Sequence, residues 1–310
     1  MAELKILSVN TSKKKGTIKL PVKKIKVSDM GVSGDAHSGK WHRQLSLLGV
    51  ESIGKFEKKA KRKINYGEFA ENITTEGVEL WKTSPLDKIV FGKVELEITQ
   101  IGKKCHGEKC AIFNEVGTCV MPKEGIFCRV IKGGELKSGD VGEYIPKVYK
   151  ILIITLSDRA SRGEYEDLSG PEISTIIENY LNNKNRKFFI ERLIIPDEPK
   201  ILENKLKSAF TKNYDIIITT GGTGIGPRDI TPETVRPLLD KEIPGIIEFI
   251  RSKYSVNKPA VLLSRAIAGV KNKTLVFSIP GSVKAVTEYM NEIVNIIDHS
   301  LYMMYEIDSH

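Results

Sequence analysis

The apolar rhythm of this chain changes once, near residue 147, and that change limits the fold more than any other feature. Before it, apolar residues fall in short alternating runs such as GTIKLPVKKIKV and KVELEITQIG, broken by glycine and aspartate. A period of two marks strands with one buried face. After IPKVYK the runs become KILIITL, KFFIERLII, YDIIITT and TLVFSI, each short, β-branched and nearly continuous in apolar character. Stretches of helical period separate them. Strands buried on both faces and alternating with helices build a doubly wound, mainly parallel sheet. Two domains are therefore expected: a mostly-β barrel over 1–147 and an α/β domain over 148–310.

Local patterns give finer expectations. LSLLGVESIGKFEKKAKRK reads as the one helix of the first half, and FCRVIKGGELKSGDVGEYI as a hairpin with Gly133-Gly134 at its tip. In the second half, Ser169 and Glu172 form a capping-box pattern with Pro171 in the first turn. Ile173, Ile176, Ile177, Tyr180 and Leu181 then share one helical face. SVKAVTEYMNEIVNIIDHSLYMMYE is periodic enough for one closing helix.

The formal charge of +9 is unevenly placed: 27 Lys+Arg against 18 Asp+Glu over 1–147, and 21 against 21 beyond. The lysines are scattered rather than interleaved with aromatics, so the excess fits a solvated surface or a pocket for a small anion better than a nucleic-acid face. No nucleic-acid or membrane partner is expected, since no apolar run approaches the ~18 residues that span a bilayer. MAELKILSVNTSKKKG shows no secretory pattern, so a cytoplasmic location is the expectation. The four cysteines, Cys105, Cys110, Cys119 and Cys128, form no C-x-x-C pair and are expected as reduced thiols.

TTGGTGIGPRDITPETV (219–235) carries the chemistry. Four glycines in six residues follow a strand and precede a helix expected to start at Thr231 as N-cap and Pro232. Free backbone N–H groups in such a turn bind anions. The Walker pattern fails because Pro227-Arg228 follows Gly226, and the dinucleotide pattern fails because position 227 is proline. Asp158, Asp197 and Asp229 each follow a predicted strand, as does Pro280-Gly281-Ser282. In a parallel sheet these loops share the carboxyl edge, where open α/β folds bind ligands. Carboxylates beside a phosphate loop make sense with Mg²⁺ between them.

At these residues the chain resembles a known family. LSDRASRGEYEDLSGP, IPDE, TTGGTGIGPRDITPET, LSR and IPGSVKA, in order over 148–310, are similar to the molybdopterin adenylyltransferases, the group of MogA, MoaB and the gephyrin G domain. The resemblance implies a nucleotidyltransferase in molybdenum cofactor biosynthesis that converts ATP and molybdopterin to adenylylated molybdopterin and pyrophosphate. It implies Asp197 and Asp229 as catalytic residues and Mg²⁺ ligands. The implied nucleotide and substrate contacts are Ser157, Asp158, Thr220, Gly221, Gly222, Thr223, Gly224, Arg228, Pro280, Gly281 and Ser282. A homotrimer and a molybdenum-insertion protein as partner are also implied. The PGS loop is nearer the MoaB branch, which keeps a non-catalytic molybdopterin carrier or scaffold as the alternative.

The first half has its own resemblance. GVSGDAHSGKWHRQLSLLGVESI, YGEFAENITTEGVEL and TQIGKKCHGEKCAIFNEVGTCVMPKEGIFCRVIKGGELKSGD are similar to the MOSC domain. That implies a β-barrel that binds the molybdenum cofactor or carries sulfur on one cysteine, matched here to Cys105, with Cys110 and Cys119 as rivals. Lys103, Lys104 and His106 would lower the Cys105 pKa. Asp35, His37, His42 and Arg43 sit in a glycine-rich loop and would line an anion pocket rather than a metal site.

Overall fold

The computed structural model describes residues 2–104 and 120–307. The chain divides into two compact units, Met1–Lys147 and Val148–His310. Among the described residues, no helix is long and apolar enough to cross a membrane.

The first unit is built from β1 (Ala2–Thr11), β2 (Leu20–Val22), β3 (Lys24–Ser28), β4 (Gly31–Val32), β5 (Leu45–Gly49), α1 (Val50–Ala60), β6 (Ile73–Glu76), β7 (Lys88–Phe91), β8 (Val94–Ile101), α2 (Met121–Glu124), β9 (Ile126–Lys132), β10 (Gly134–Lys137) and β11 (Val141–Ile145). Seven strands close in the order β11-β7-β8-β9-β5-β6-β1, with β1 pairing back to β11. A closed barrel leaves no unpaired edge. Inward positions alternate along each strand: Leu4, Ile6, Ile89, Phe91, Leu96 and Ile98 meet in one core. The chain departs from its sequence pattern in two places. Leu45–Gly49 is not helical; all five residues are buried as β5, between β9 and β6, and the helix begins at Val50. Gly133-Gly134 does not tip a hairpin, because β9 pairs with β5 and β8 while β10 pairs with β3 in a separate three-stranded sheet.

The second unit contains β12 (Val148–Leu156), α3 (Asp158–Ser161), α4 (Ser169–Asn183), β13 (Lys187–Ile195), α5 (Pro199–Thr211), β14 (Ile216–Thr220), α6 (Thr231–Val235), β15 (Lys241–Glu242), α7 (Pro244–Ser255), β16 (Ile267–Lys271), β17 (Thr274–Ile279), α8 (Val283–Ile293) and α9 (Ile297–Met304). The sheet order is β13-β12-β14-β17-β16-β15. The first four strands run parallel, and β16 is antiparallel to both β17 and β15. The period of two sorts side chains between two helical layers. Ile151, Ile153, Ile216 and Ile218 face α4, α7, α8 and α9. Leu152, Ile154, Leu156 and Ile217 face α5 and Val235 of α6. β12 leads to β13 on one side, and β14 lies on its other side. The connection direction thus reverses between β12 and β14, which opens a crevice at their carboxyl ends.

Three expectations need correction here. β13 is an edge strand with one neighbour, and Phe189 and Ile194 are about half exposed, so it is not buried on both faces. The closing helix is two helices, broken at residues 294–296, where the Asn295 side chain donates to the Asn291 carbonyl (2.7 Å) and competes with the backbone ladder. Ser169 lies in the first turn of α4 and does not cap it. Instead Asp167 Oδ1 accepts the N–H groups of Ser169 (3.0 Å) and Gly170 (3.1 Å), and Glu172 accepts from the Thr287 hydroxyl (2.8 Å).

Ile177 is fully buried on α4 against the sheet. Ile177→Ala removes side-chain contacts that no neighbour can replace and is expected to destabilise the second unit by about 2–4 kcal/mol. Chemical denaturation monitored on both units checks this; an unchanged midpoint for the second unit would count against the packing.

Candidate active site and an anion pocket

The crevice of the second unit is assembled by loops that hold one another by main-chain contacts. Ser157 caps α3, its hydroxyl accepting the Ala160 N–H (3.2 Å). Asp158 and Asp197 then exchange bonds: the Asp158 N–H donates to Asp197 Oδ2 and the Asp197 N–H to Asp158 Oδ1, both at 3.0 Å. This reciprocal pair locks the loop after β12 to the loop after β13.

The glycine loop is fastened on its other flank. Gly221 has φ +102°, and a Cβ there would stand 2.4 Å from the Leu156 carbonyl oxygen, so only glycine fits. Its N–H donates to the Ile279 carbonyl (3.1 Å), and the Thr220 hydroxyl donates to the Pro280 carbonyl (3.0 Å). The Ser169 hydroxyl reaches the Gly281 carbonyl (2.6 Å). Ser282 spends its oxygen as N-cap of α8, accepting the Ala285 N–H (3.3 Å). Thr231 is not the N-cap that the sequence pattern implied; its N–H and hydroxyl donate to the Gly222 (3.0 Å) and Gly221 (2.9 Å) carbonyls, and α6 runs for only five residues. The anion-binding capacity of this loop therefore rests on its own N–H groups more than on a helix dipole.

Charge is concentrated at the crevice. Arg228 forks onto Asp158 at 2.7 to 3.1 Å, which lowers the Asp158 carboxyl pKa and raises that of the guanidinium. Burial pushes the Asp197 carboxyl up, against the Asp158 N–H, and the negative charges of Asp158 and Asp229 push it further. Asp229 Oδ2 accepts the Gly226 N–H (2.7 Å). An open groove of about 400 Å³ between α5 and α6 runs past Asp229. Thus the structure brings together Ser157, Asp158, Asp197, Thr220–Gly224, Arg228, Asp229 and Pro280–Ser282. Two contributors lay outside the sequence-level site. Asp167 fixes α4 and takes the Thr155 hydroxyl (2.9 Å), and Arg265 grips the glycine loop. The LSR tripeptide was the only sequence signal for Arg265.

In the first unit, His37, Arg43, Lys103 and Lys104 line a cavity of about 260 Å³ together with Trp41 and Asn72. The Arg43 guanidinium lies 4.9 Å from the Trp41 ring centroid. Asp35, buried beside the cavity, pairs with the equally buried Lys19 and takes the His37 N–H (2.9 Å) and the Asn72 amide (3.2 Å). Burial lowers the Lys19 pKa despite that pairing. Burial alone would raise the Asp35 carboxyl, but hydrogen bonds from His37 and Lys19 hold it far below the usual range. His42 does not line the cavity; its carbonyl accepts the Thr99 hydroxyl (2.7 Å). Cys105, His106, Cys110 and Cys119 lie outside the described residues. Cys128 is buried in the barrel core, and burial pushes its thiol pKa up, which makes it a poor nucleophile.

Two pH effects follow. The folded pKa of Asp197 is raised, so its ionised form costs stability once pH passes the ordinary carboxylate value. Asp197→Asn is therefore expected to raise the thermal midpoint of the second unit at pH 7, with the gain shrinking toward pH 4. A constant or reversed difference across that range would refute the electrostatic account. Asp35 is the opposite case: its depressed pKa stabilises the first unit above about pH 4, and that contribution is lost as pH falls further. Asp35→Asn leaves Lys19 buried without its counter-ion and should cost about 3–5 kcal/mol at pH 7, read by denaturant titration.

Comparison with known proteins gives a family match for each unit. The family described as "Probable molybdopterin binding domain" matches residues 152–299, and the MOSC domain matches 34–143. The chain is 39% identical over 144 residues to a molybdopterin adenylyltransferase of Helicobacter pylori, covering 46% of this chain and 80% of that protein. It is 37% identical over 163 residues to a molybdopterin adenylyltransferase of Pyrococcus furiosus, covering 50% of this chain and 93% of that one. Gephyrin of Dictyostelium discoideum is 37% identical over 155 residues, which span 48% of this chain but only 21% of gephyrin. Through its second unit the chain belongs to the molybdopterin adenylyltransferase family, with a MOSC domain ahead of it on the same polypeptide.

Proposed function

We propose that the second unit adenylylates molybdopterin with Mg-ATP. The observation that carries this is the meeting of Asp158, Asp197 and Asp229 with the glycine-loop N–H groups at one sheet edge. Relatives named molybdopterin adenylyltransferase supply the substrates, ATP and molybdopterin. An oxygen of the pterin phosphate attacks the α-phosphorus of ATP, a new P–O bond forms, the α–β bond breaks, and pyrophosphate leaves with the electron pair. A phosphate monoester is largely ionised at pH 7 (second pKa about 6), so no strong base is required. Catalysis then reduces to positioning and charge neutralisation.

The residues present fit a divalent cation. Asp197 Oδ1 and Asp229 Oδ1 accept no hydrogen bond among the described residues, while their Oδ2 atoms are each held by a backbone N–H. No group of three or more metal-ligating His, Cys, Asp or Glu side chains occurs among the described residues. Two carboxylates with substrate phosphates completing the shell is the arrangement Mg²⁺ favours. When bound there, the ion neutralises charge on the phosphate oxygens. Gly222, Thr223 and Gly224 cradle phosphate oxygens, and Arg228 adds exposed positive charge at the rim. Pro280–Ser282 forms the opposite wall.

The first unit, in this proposal, receives an anionic cofactor or its sulfur. Its cavity offers His37, Arg43, Lys103 and Lys104 and has no acidic lining residue among those described. Cys105, next in sequence to Lys104, is the proposed sulfur carrier. A homotrimer, a cytoplasmic location and delivery to a molybdenum-insertion protein belong to the same proposal.

Purified protein mixed with molybdopterin, ATP and Mg²⁺ is expected to yield adenylylated pterin by mass spectrometry. Asp229→Asn should lower kcat by roughly 10²-fold or more while still binding molybdopterin. Tight molybdopterin binding without product from the wild type would leave a carrier instead.

A further inference from the structure

Arg265, two residues before β16, makes three donations to the glycine loop and a fourth to the helix that follows it. Its backbone N–H donates to the Thr223 carbonyl (2.8 Å). Nε donates to the Gly224 carbonyl (2.6 Å), and Nη2 to the Asp229 carbonyl (2.8 Å). Nη1 pairs with Glu233, which fixes the guanidinium plane. The consequence of this grip is directional. No peptide bond here is cis, and in a planar trans peptide the C=O and the following N–H point in opposite directions. Drawing the Thr223, Gly224 and Asp229 carbonyls toward Arg265 turns the N–H groups of Gly224, Ile225 and Ile230 away from it. Those three N–H groups have no partner among the described residues. Between them, Asp229 Oδ2 holds the Gly226 N–H (2.7 Å), so the same grip sets the carboxylate.

We infer that Arg265 is a positioning residue that presents the loop N–H groups and the Asp229 carboxylate to a polyphosphate. The inference rests on the adenylyltransferase proposal for the identity of the nucleotide, but not for the anion. Lysine has one point of attachment and cannot reproduce the planar fork. Arg265→Gln should therefore weaken Mg-pyrophosphate binding about tenfold or more and lower kcat for adenylylation by roughly 10²-fold. The KM for molybdopterin should stay within about threefold, since in this proposal the loop meets phosphate rather than the pterin ring. Arg265→Lys should recover only part of each loss.

The test uses the full chain. ¹H–¹⁵N spectra of wild type, Arg265→Gln and Arg265→Lys are recorded while Mg-pyrophosphate is titrated, with thermal midpoints and turnover measured in parallel. In the wild type, the Gly224 and Ile225 amide signals should move on titration; in Arg265→Gln they should start from different positions and move little. Wild-type binding and turnover in Arg265→Gln would overturn the assignment. If Arg265→Gln does not fold, Arg265→Lys decides: several-fold weaker binding at an unchanged midpoint supports the inference, and wild-type binding overturns it. Wild-type protein that binds pyrophosphate through these amides but makes no adenylylated product would sink the proposed reaction alone. Product formation with equal activity in all three proteins would sink Arg265 alone.

Discussion

Parallel pairing of β13, β12, β14 and β17 is the constraint on which the second unit depends. Because these strands share a direction, every loop leaving a carboxyl end emerges on one edge. Aspartates 39 and 71 residues apart from Asp158 in sequence become neighbours without any local design for it. The helical layers enforce that pairing: Ile151 and Ile153 are buried on one face while Leu152 and Ile154 are buried on the other. A slip of one residue would exchange the two faces of the strand. The register that buries the core is therefore the register that places the site.

Both units place charged side chains beside a cavity or groove, and they balance the charge differently. In the first, Lys19 and Asp35 neutralise each other inside the protein, and Asp35 then anchors His37 and Asn72 at the cavity. Separating such a pair is costly because either partner alone would be a buried, uncompensated charge. In the second, three carboxylates converge and one of them is offset by Arg228; Asp197 stays electrostatically strained. Perturbed carboxylates of that kind are common at functional sites. The charge pair beside the barrel cavity is thus balanced within the protein, whereas the Asp197 carboxyl keeps a raised pKa.

Sequence patterns identified the four parallel strands of the second unit, though not β15 or β16, together with the barrel class of the first and the residues that meet at the crevice. They failed where a side chain had two available partners. Ser169 carries a capping-box signature, yet its hydroxyl goes to Gly281, 112 positions away, and Asp167 takes over the cap. Thr231 resembles an N-cap but ties back to Gly221. Local propensity cannot weigh a distant carbonyl against a nearby N–H. The Gly133-Gly134 turn failed for a related reason: turn chemistry describes a bend, not which strands pair on either side of it.

By itself the sequence determined the division into two domains with different periods, the glycines that only one loop could use, and the family to which the second half belongs. Those properties are written in residue type and spacing, which physics reads locally. Tertiary structure alone decided that β13 is an edge and that β16 runs against its neighbours. It alone decided that His42 leaves the cavity His37 enters, and that Arg265 grips three carbonyls of a loop more than thirty residues upstream. These outcomes depend on hydrogen-bond partners far apart in the chain, and partner choice is settled only when the core closes.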